Sequence, residues 1–171
     1  MVTPALTELA AKQGVRRAVV VVGDWDVMAL VDGPDMATLA TTVLSQIHPV
    51  EGVERTRTAP LVPPDRVGMG FASPPPPSLL PGEVCYVHIK VEAGAVEGLV
   101  ERLAEMEEIA GVAVVAGEYD IVADIRRPWE AASGTILSGI QSLPGVVSTT
   151  TLVGVPYEEP AEDRDQFSTW S

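Results

Sequence analysis

Few residues of this chain combine the types and the spacing that catalysis or metal binding requires. Its two histidines, His48 and His88, lie far apart in sequence and form no recognisable metal motif. No glycine-rich phosphate loop, nucleophile elbow or paired-histidine motif is present. An enzyme would have to use His88, its strand neighbour Tyr86, and Asp120. Because nothing in the sequence shows that these three converge, catalysis is the less favoured interpretation.

The single cysteine, Cys85, also indicates no disulfide or metal chemistry. One cysteine excludes an intramolecular disulfide and a cysteine-rich zinc site. Cys85 lies in an alternating run, where a lone cysteine is most often a small buried hydrophobic residue. We therefore predict that Cys85 is buried, and we expect no metal and no cofactor.

The charge balance excludes one large class of partner. The chain has 171 residues and a formal net charge of −13, with 11 basic and 24 acidic residues. Proteins that bind DNA neutralise its phosphates with clustered Lys and Arg, so we expect no direct nucleic-acid partner. The same argument disfavours an anionic membrane surface. The first residues do not resemble a secretory signal, and no apolar run approaches the roughly 18 residues of a membrane span, so we expect a cytoplasmic protein.

The pattern between residues 84 and 155 is the clearest in the chain. CYVHIKVE, at 85–92, alternates apolar and polar residues with the period of a half-buried strand. Apolar residues three and four apart then mark the stripe of a helix. The predicted order is strand 85–92, helix 96–109, strand 111–116, strand 121–125, helix 136–143 and strand 146–155. This β-α-β-β-α-β order is the ferredoxin-like pattern.

The beginning of the chain repeats most of this pattern. VVVVGDWDVMALVDGPD, at 19–35, corresponds to 113–129 with an offset of 94 residues. GVERTRTAPLV, at 52–62, corresponds to 145–155 with an offset of 93. One extra residue therefore lies in the second helix of the first copy, and the match indicates an internal repeat.

The first copy is incomplete. A helix is predicted near residues 3–13, but nothing corresponds to the strand at 85–92. The first copy therefore reads α-β-β-α-β, with its first strand missing. The predicted organisation is a partial repeat at 1–62, a proline-rich linker at 63–83, a complete repeat at 84–155 and an acidic disordered tail at 156–171.

These motifs resemble the effector-binding domain, or RAM domain, of the Lrp/AsnC regulators. The resemblance rests on CYVHIKVEAG, GVAVVAGEYDIVADI, a helix ending in LPG, and VVSTTTLV, and it extends more weakly to 14–62 through GDWD and GVERTRT. It implies an α+β fold of two ferredoxin-like repeats, paired face to face as a dimeric α+β barrel-type assembly. Family members usually carry an N-terminal helix-turn-helix, whereas no helical block of that kind precedes the first repeat here.

The resemblance also implies a small effector, commonly an amino acid, bound near subunit junctions. In the family the binding turn is glycine–x–aromatic–aspartate, with hydroxyl residues on the last strand nearby. The matching positions are Gly117, Tyr119, Asp120, Thr149 and Thr151 in the second copy, and Gly23, Trp25, Asp26, Thr56 and Thr58 in the first. A carboxylate would face the ammonium group of such a ligand, and backbone N–H groups and threonine hydroxyls would face its carboxylate.

Each of these residues also has a structural interpretation. A Gly-x-x-Asp sequence between strands is an ordinary hairpin turn, in which the aspartate bonds the local backbone. Threonine favours strands, and the two aromatic residues are suited to packing. His88 would become a buried structural histidine if its strand face were covered by another sheet.

The favoured function is a non-catalytic sensing and oligomerisation module without its own DNA-binding domain. The alternatives are a small cofactor-poor enzyme on a dimeric α+β barrel, and a pure assembly scaffold. Because the missing strand leaves a sheet edge or a gap, we expect a homo-oligomer or a hetero-oligomer with a helix-turn-helix regulator.

Overall fold

The computed structural model describes residues 2–62 and 84–155, so the predicted linker and tail lie outside the described residues. The first copy contains α1 (Val2–Ala11), β1 (Val15–Val22), β2 (Val27–Val31) and α2 (Met36–Thr42), which continues as a π-helical turn at Val43–Ile47. The second copy contains β3 (Cys85–Val91), α3 (Val96–Glu105), β4 (Ile109–Val114), β5 (Ile121–Ile125), α4 (Trp129–Gly134, continued to Ser142) and β6 (Val146–Gly154). The predicted α+β fold of ferredoxin-like repeats is confirmed.

The second copy forms an antiparallel sheet in the order β6-β3-β5-β4. Its central strand β3 pairs with β5 on one side and with β6 on the other. Because side chains alternate along a strand, Cys85, Val87 and Ile89 all lie on the face that α3 and α4 cover. Cys85 is 0% exposed, which confirms its predicted burial.

The first copy has a smaller core. β1 and β2 pair antiparallel, and α1 and α2 cover one face of this two-stranded unit. The buried residues here are Ala5, Leu9, Ile47 and Val50. Asp35 caps α2 by accepting a hydrogen bond from the Thr38 backbone N–H at 2.7 Å.

The two copies join edge to edge at two equivalent places. At one junction β1 pairs with β6, with Val21 opposite Gly154. At the other, Leu61 forms an isolated bridge to Val115. Val21 and Val115 are matching positions of the repeat, and so are Leu61 and Gly154. The pairing therefore follows a pseudo-twofold axis, and the two copies form the predicted barrel-type arrangement within one chain, although no described strand joins β2 to residues 53–60.

The sheet faces turned away from the helices enclose a second core between the copies. It contains Val19 and Val21 from β1, and Tyr86, Val122 and Leu152 from the second copy. The polar face predicted for β3 is thus the barrel interior. His88 lies on this face, and burial lowers the pKa of its imidazole.

The last strand predicted for the first copy is not a regular strand. Residues 53–60 have no regular secondary structure, and only Leu61 makes a bridge. In the second copy, β6 is a strand because β3 pairs with it from Cys85↔Val153 to Val91↔Val146. The first copy has no described counterpart of β3, so its final segment is extended without a ladder along that edge.

Candidate ligand-binding turns

The two aspartate turns have the same backbone geometry. In the first copy the Val21 N–H donates to the Asp26 carbonyl at 2.9 Å. In the second, Val115 donates to the Asp120 carbonyl at 3.0 Å. These donors and acceptors are matching positions of the repeat, so the turns are one structural motif used twice.

Each turn lies against the last segment of the opposite copy. A Cβ added at Gly23 would lie 2.6 Å from Leu152 Cδ2 and 3.2 Å from the Thr151 carbonyl oxygen. A Cβ added at Gly117 would lie 3.7 Å from Ala59 Cβ. Since Ala59 and Leu152 are matching positions, both turns lie at the junction between copies, with the closer approach at Gly23.

The aromatic residue of each turn points into the barrel and contacts its own copy's last segment. The Tyr119 hydroxyl bonds to Thr150 Oγ1 at 2.8 Å, and its ring meets the His88 ring edge-on at 5.5 Å. The Trp25 ring lies 5.0 Å from the guanidinium carbon of Arg55 and 5.3 Å from that of Arg57. Trp25 and Tyr119 therefore pack against neighbouring side chains, as their structural interpretation predicted.

The predicted threonines do not gather around these aromatic rings. Thr149 accepts a hydrogen bond from Gln141 Nε2 at 3.0 Å, on the helix-covered side of the sheet. Thr56 makes the matching bond to His48. Thr151 lies on the same side of β6 as Thr149, because residues two apart share a face, and Thr58 is exposed. Ligand contact by these four threonines stays a prediction.

The two aspartates differ in what they bind. Asp120 Oδ2 accepts the Val91 backbone N–H at 2.9 Å and lies 3.6 Å from Lys90 Nζ. Lys90 Nζ also donates to the Glu118 carbonyl at 3.0 Å. Asp26, in contrast, is exposed, and its carboxylate makes no hydrogen bond or ion pair with another described residue. Only the second turn therefore combines its carboxylate with a neighbouring ammonium group.

Sequence reasoning missed several residues at these turns. Arg57 pairs with Glu118 and so links the two copies. Arg55 and Arg57 occupy the positions of Ser148 and Thr150 in the second copy. The signal was available, because two arginines spaced by two in GVERTRT must lie on one side of an extended segment.

The groups considered for catalysis do not assemble into a site. Tyr86 is 6% exposed, and burial raises the pKa of its hydroxyl. Tyr86 and His88 face the barrel interior, whereas the Asp120 carboxylate bonds to the backbone at the end of β3. Within 2–62 and 84–155, no three His, Cys, Asp or Glu residues are grouped to hold a metal ion. No helix in these ranges is long and apolar enough to cross a bilayer.

Sequence comparison identifies the protein family of this chain. A family model described as the Lrp/AsnC ligand binding domain matches residues 3–62 and 84–156, which is most of the chain. The chain belongs to the Lrp/AsnC ligand-binding domain family. The two matched segments of this Lrp/AsnC domain protein coincide with its two copies. The family is a regulatory one, and its members are transcriptional regulators that bind small-molecule effectors.

The curated relatives of this Lrp/AsnC domain protein are regulators. The HTH-type transcriptional regulator FL11 of Pyrococcus abyssi is 34% identical over 70 residues, which cover 41% of this chain and 46% of that protein. The FL11 protein of Pyrococcus horikoshii is 33% identical over the same length. The chain therefore spans about half the length of the curated relatives that it matches.

Two solved structures are similar to parts of this chain. TTHA0845 from Thermus thermophilus is 35% identical, covers 44% of this chain and 98% of its own, and superposes with a TM-score of 0.41. The transcriptional regulator NMB0573 of Neisseria meningitidis, solved as an L-Met complex, is 17% identical, covers 72% of each chain and has a TM-score of 0.40. At these TM-scores the family match, and not the superposition, carries the assignment.

Proposed function

We propose that this protein is a non-catalytic sensor of an amino acid, which acts as a subunit of a larger regulatory assembly and does not itself contact DNA. The family assignment supports a ligand-binding role, and the net charge of −13 supports the absence of DNA contact. The assembly is formed with further copies or with a helix-turn-helix regulator.

The second turn is the proposed ligand site. Its supporting observation is the pair formed by Asp120 and Lys90, 3.6 Å apart beside Tyr119. An amino acid carries an ammonium group and a carboxylate on neighbouring atoms, and this pair presents the complementary charges. Asp120 has one oxygen engaged by the Val91 N–H, which leaves the other for a ligand. The first turn has no described counterpart of Lys90, so one complete site per chain is proposed.

A thermal-shift screen of the full chain against the twenty amino acids tests this function. A ligand at about 100 times its Kd stabilises the folded state by roughly 2.7 kcal/mol, which raises Tm by several degrees. We expect one amino acid, or one side-chain class, to give this shift. Asp120→Asn should abolish the shift, and Asp26→Asn, the matched change in the first turn, should retain it.

The absence of a shift with every amino acid would contradict amino-acid sensing and would favour the assembly scaffold. A shift that survives in Asp120→Asn would place the site elsewhere. The assembly part of the proposal is tested by sedimentation at micromolar concentration, where a strict monomer, both alone and with a candidate helix-turn-helix regulator, would contradict it.

A further inference from the structure

The first copy has a strand position that no described residue occupies. In the second copy, β3 fills this position between β5 and β6. The matching flanks in the first copy are β2 and residues 53–60. Both flanks are present, and Val27, Val31 and Val53 are each partly buried against the small core of the first copy.

Four contacts show how such a position is filled. β5 pairs with β3 from Cys85↔Ile125 to Ile89↔Ile121, and β6 pairs with its other edge. The Asp120 N–H donates to the Ile89 carbonyl at 3.0 Å. The Asp120 carboxylate accepts the Val91 N–H at 2.9 Å. The aspartate of the turn thus anchors the end of the inserted strand.

The first copy offers the same contacts, and no described residue makes them. Asp26 and Asp32 direct backbone groups toward β1, through bonds with Val21 and Gly14. Since backbone groups alternate sides along an antiparallel strand, Val27, Ala29 and Val31 direct theirs to the edge of β2 that pairs with no described strand. The Asp26 carboxylate, which matches Asp120, has no partner among the described residues.

We propose that a β-strand of a partner protein inserts between β2 and residues 53–60, antiparallel to both, and is anchored by the Asp26 carboxylate. Strand addition of this kind draws its affinity from main-chain hydrogen bonds and its specificity from alternate side chains. The interaction goes beyond effector sensing and does not involve Asp120 or Lys90.

The flanks define the chemistry of the partner strand. Its helix-side residues are apolar, because they meet Val27, Val31 and Val53. Its barrel-side residues include an acid. In the second copy Lys90 of β3 lies opposite Ser148, and the residue matching Ser148 in the first copy is Arg55. An acidic residue opposite Arg55 forms a favourable cross-strand pair, whereas a lysine there is repelled.

A peptide titration of the full chain tests the proposal. The probe is a fluorescein-labelled peptide with the sequence of residues 84–92 and the change Lys90→Glu, since β3 fits the matching flanks. Fluorescence anisotropy should show saturable binding, about two- to thirtyfold tighter than that of the unchanged peptide, because roughly 0.2–1 kcal/mol of cross-strand repulsion is replaced by a similar attraction. A scrambled peptide should not bind.

Variants of the protein locate the binding edge. Ala29→Pro removes one outward N–H without touching the β1–β2 hydrogen bonds, and should weaken peptide binding at least tenfold. Asp26→Asn should weaken it severalfold, while Asp24→Asn, an exposed carboxylate in the same turn, should leave it unchanged. If circular dichroism shows that Ala29→Pro does not fold, the comparison of Asp26→Asn with Asp24→Asn still tests whether the peptide binds at this edge.

Three outcomes would overturn the proposal. Equal binding of the scrambled peptide would show that the edge has no strand specificity. Concentration-dependent dimers that Ala29→Pro abolishes would identify a second copy as the occupant. Slow hydrogen exchange at Val27, Ala29 and Val31 in the free monomer would show that the chain covers its own edge. None of these results bears on the amino-acid screen, so the two proposals can fail separately.

Discussion

Of the two matching turn glycines, Gly23 lies closer to the opposite copy than Gly117 does. Its φ of +151° strains any side chain, and a Cβ there would lie 2.6 Å from Leu152 Cδ2 and 3.2 Å from the Thr151 carbonyl oxygen. We expect Gly23→Ala to lower the free energy of unfolding by about 1–3 kcal/mol, because the backbone is strained and the Leu152 side chain must move. Urea unfolding measures this loss. Gly98→Ala, on the open face of α3, is the control and should raise stability by up to about 1 kcal/mol.

His88 makes the stability of the barrel depend on pH. Burial lowers the pKa of its imidazole below the ordinary value of 6.5, so below that pH the unfolded chain binds a proton that the folded chain excludes. Stability should therefore fall as the pH decreases through 6.5. His88→Gln should flatten this slope in thermal unfolding, whereas His48→Gln, at the exposed histidine, should retain it. An unchanged slope in His88→Gln would assign the pH effect to other groups.

Individual residues were predictable where one physical rule governs them. Burial of Cys85 followed from strand periodicity, and the partial burial of His88 followed once its face was expected to pair with a second sheet. The surroundings of Asp120 were less predictable, because its hydrogen bond to the Val91 N–H depends on where β3 ends. Thr150, not Thr149 or Thr151, contacts Tyr119, and only the register of β6 against β3 determines this.

The two helix-covered cores differ in size, and matched substitutions should reveal the difference. Ile140 is 0% exposed in the larger core, and the matching Ile47 is 8% exposed in the smaller one. We expect Ile140→Ala to cost about 3–5 kcal/mol of unfolding free energy and Ile47→Ala clearly less, since a smaller core leaves fewer contacts to lose. Denaturant unfolding of both variants measures the costs. Equal costs would show that the first copy is as tightly packed as the second.

Elements with strong internal patterns were predicted well. The strand expected at 121–125 is Ile121–Ile125 in the structure, and the strand expected at 146–155 is Val146–Gly154. The segment at 52–62 has the matching sequence but forms no regular strand. A helix is bonded within itself, whereas a strand exists only with its neighbours, so the pattern within 52–62 cannot show whether a neighbouring strand pairs with it. The signal lay elsewhere in the sequence, in the lack of a first-copy counterpart of the strand at 85–92.

The barrel as a whole is held by two junctions and by the apolar core between the copies. These contacts are independent of the connection between residues 62 and 84. We therefore expect the two copies to stay associated after the chain is cut at a protease site introduced between Pro77 and Ser78. Native mass spectrometry of the cleaved protein should show one noncovalent complex of both fragments. Separation of the fragments under mild conditions would contradict the importance of the shared core.

The enclosure of both halves in one chain has a thermodynamic consequence. A barrel made from two separate chains dissociates on dilution, whereas covalent linkage gives its halves an effective concentration of about millimolar or more. A ligand cannot regulate this protein by driving the two halves of its barrel together, because mass action no longer acts on that step. In addition, the two turns do not have to carry the same residues. Trp25 and Tyr119 already differ, so one turn is free to specialise while the other keeps its original task.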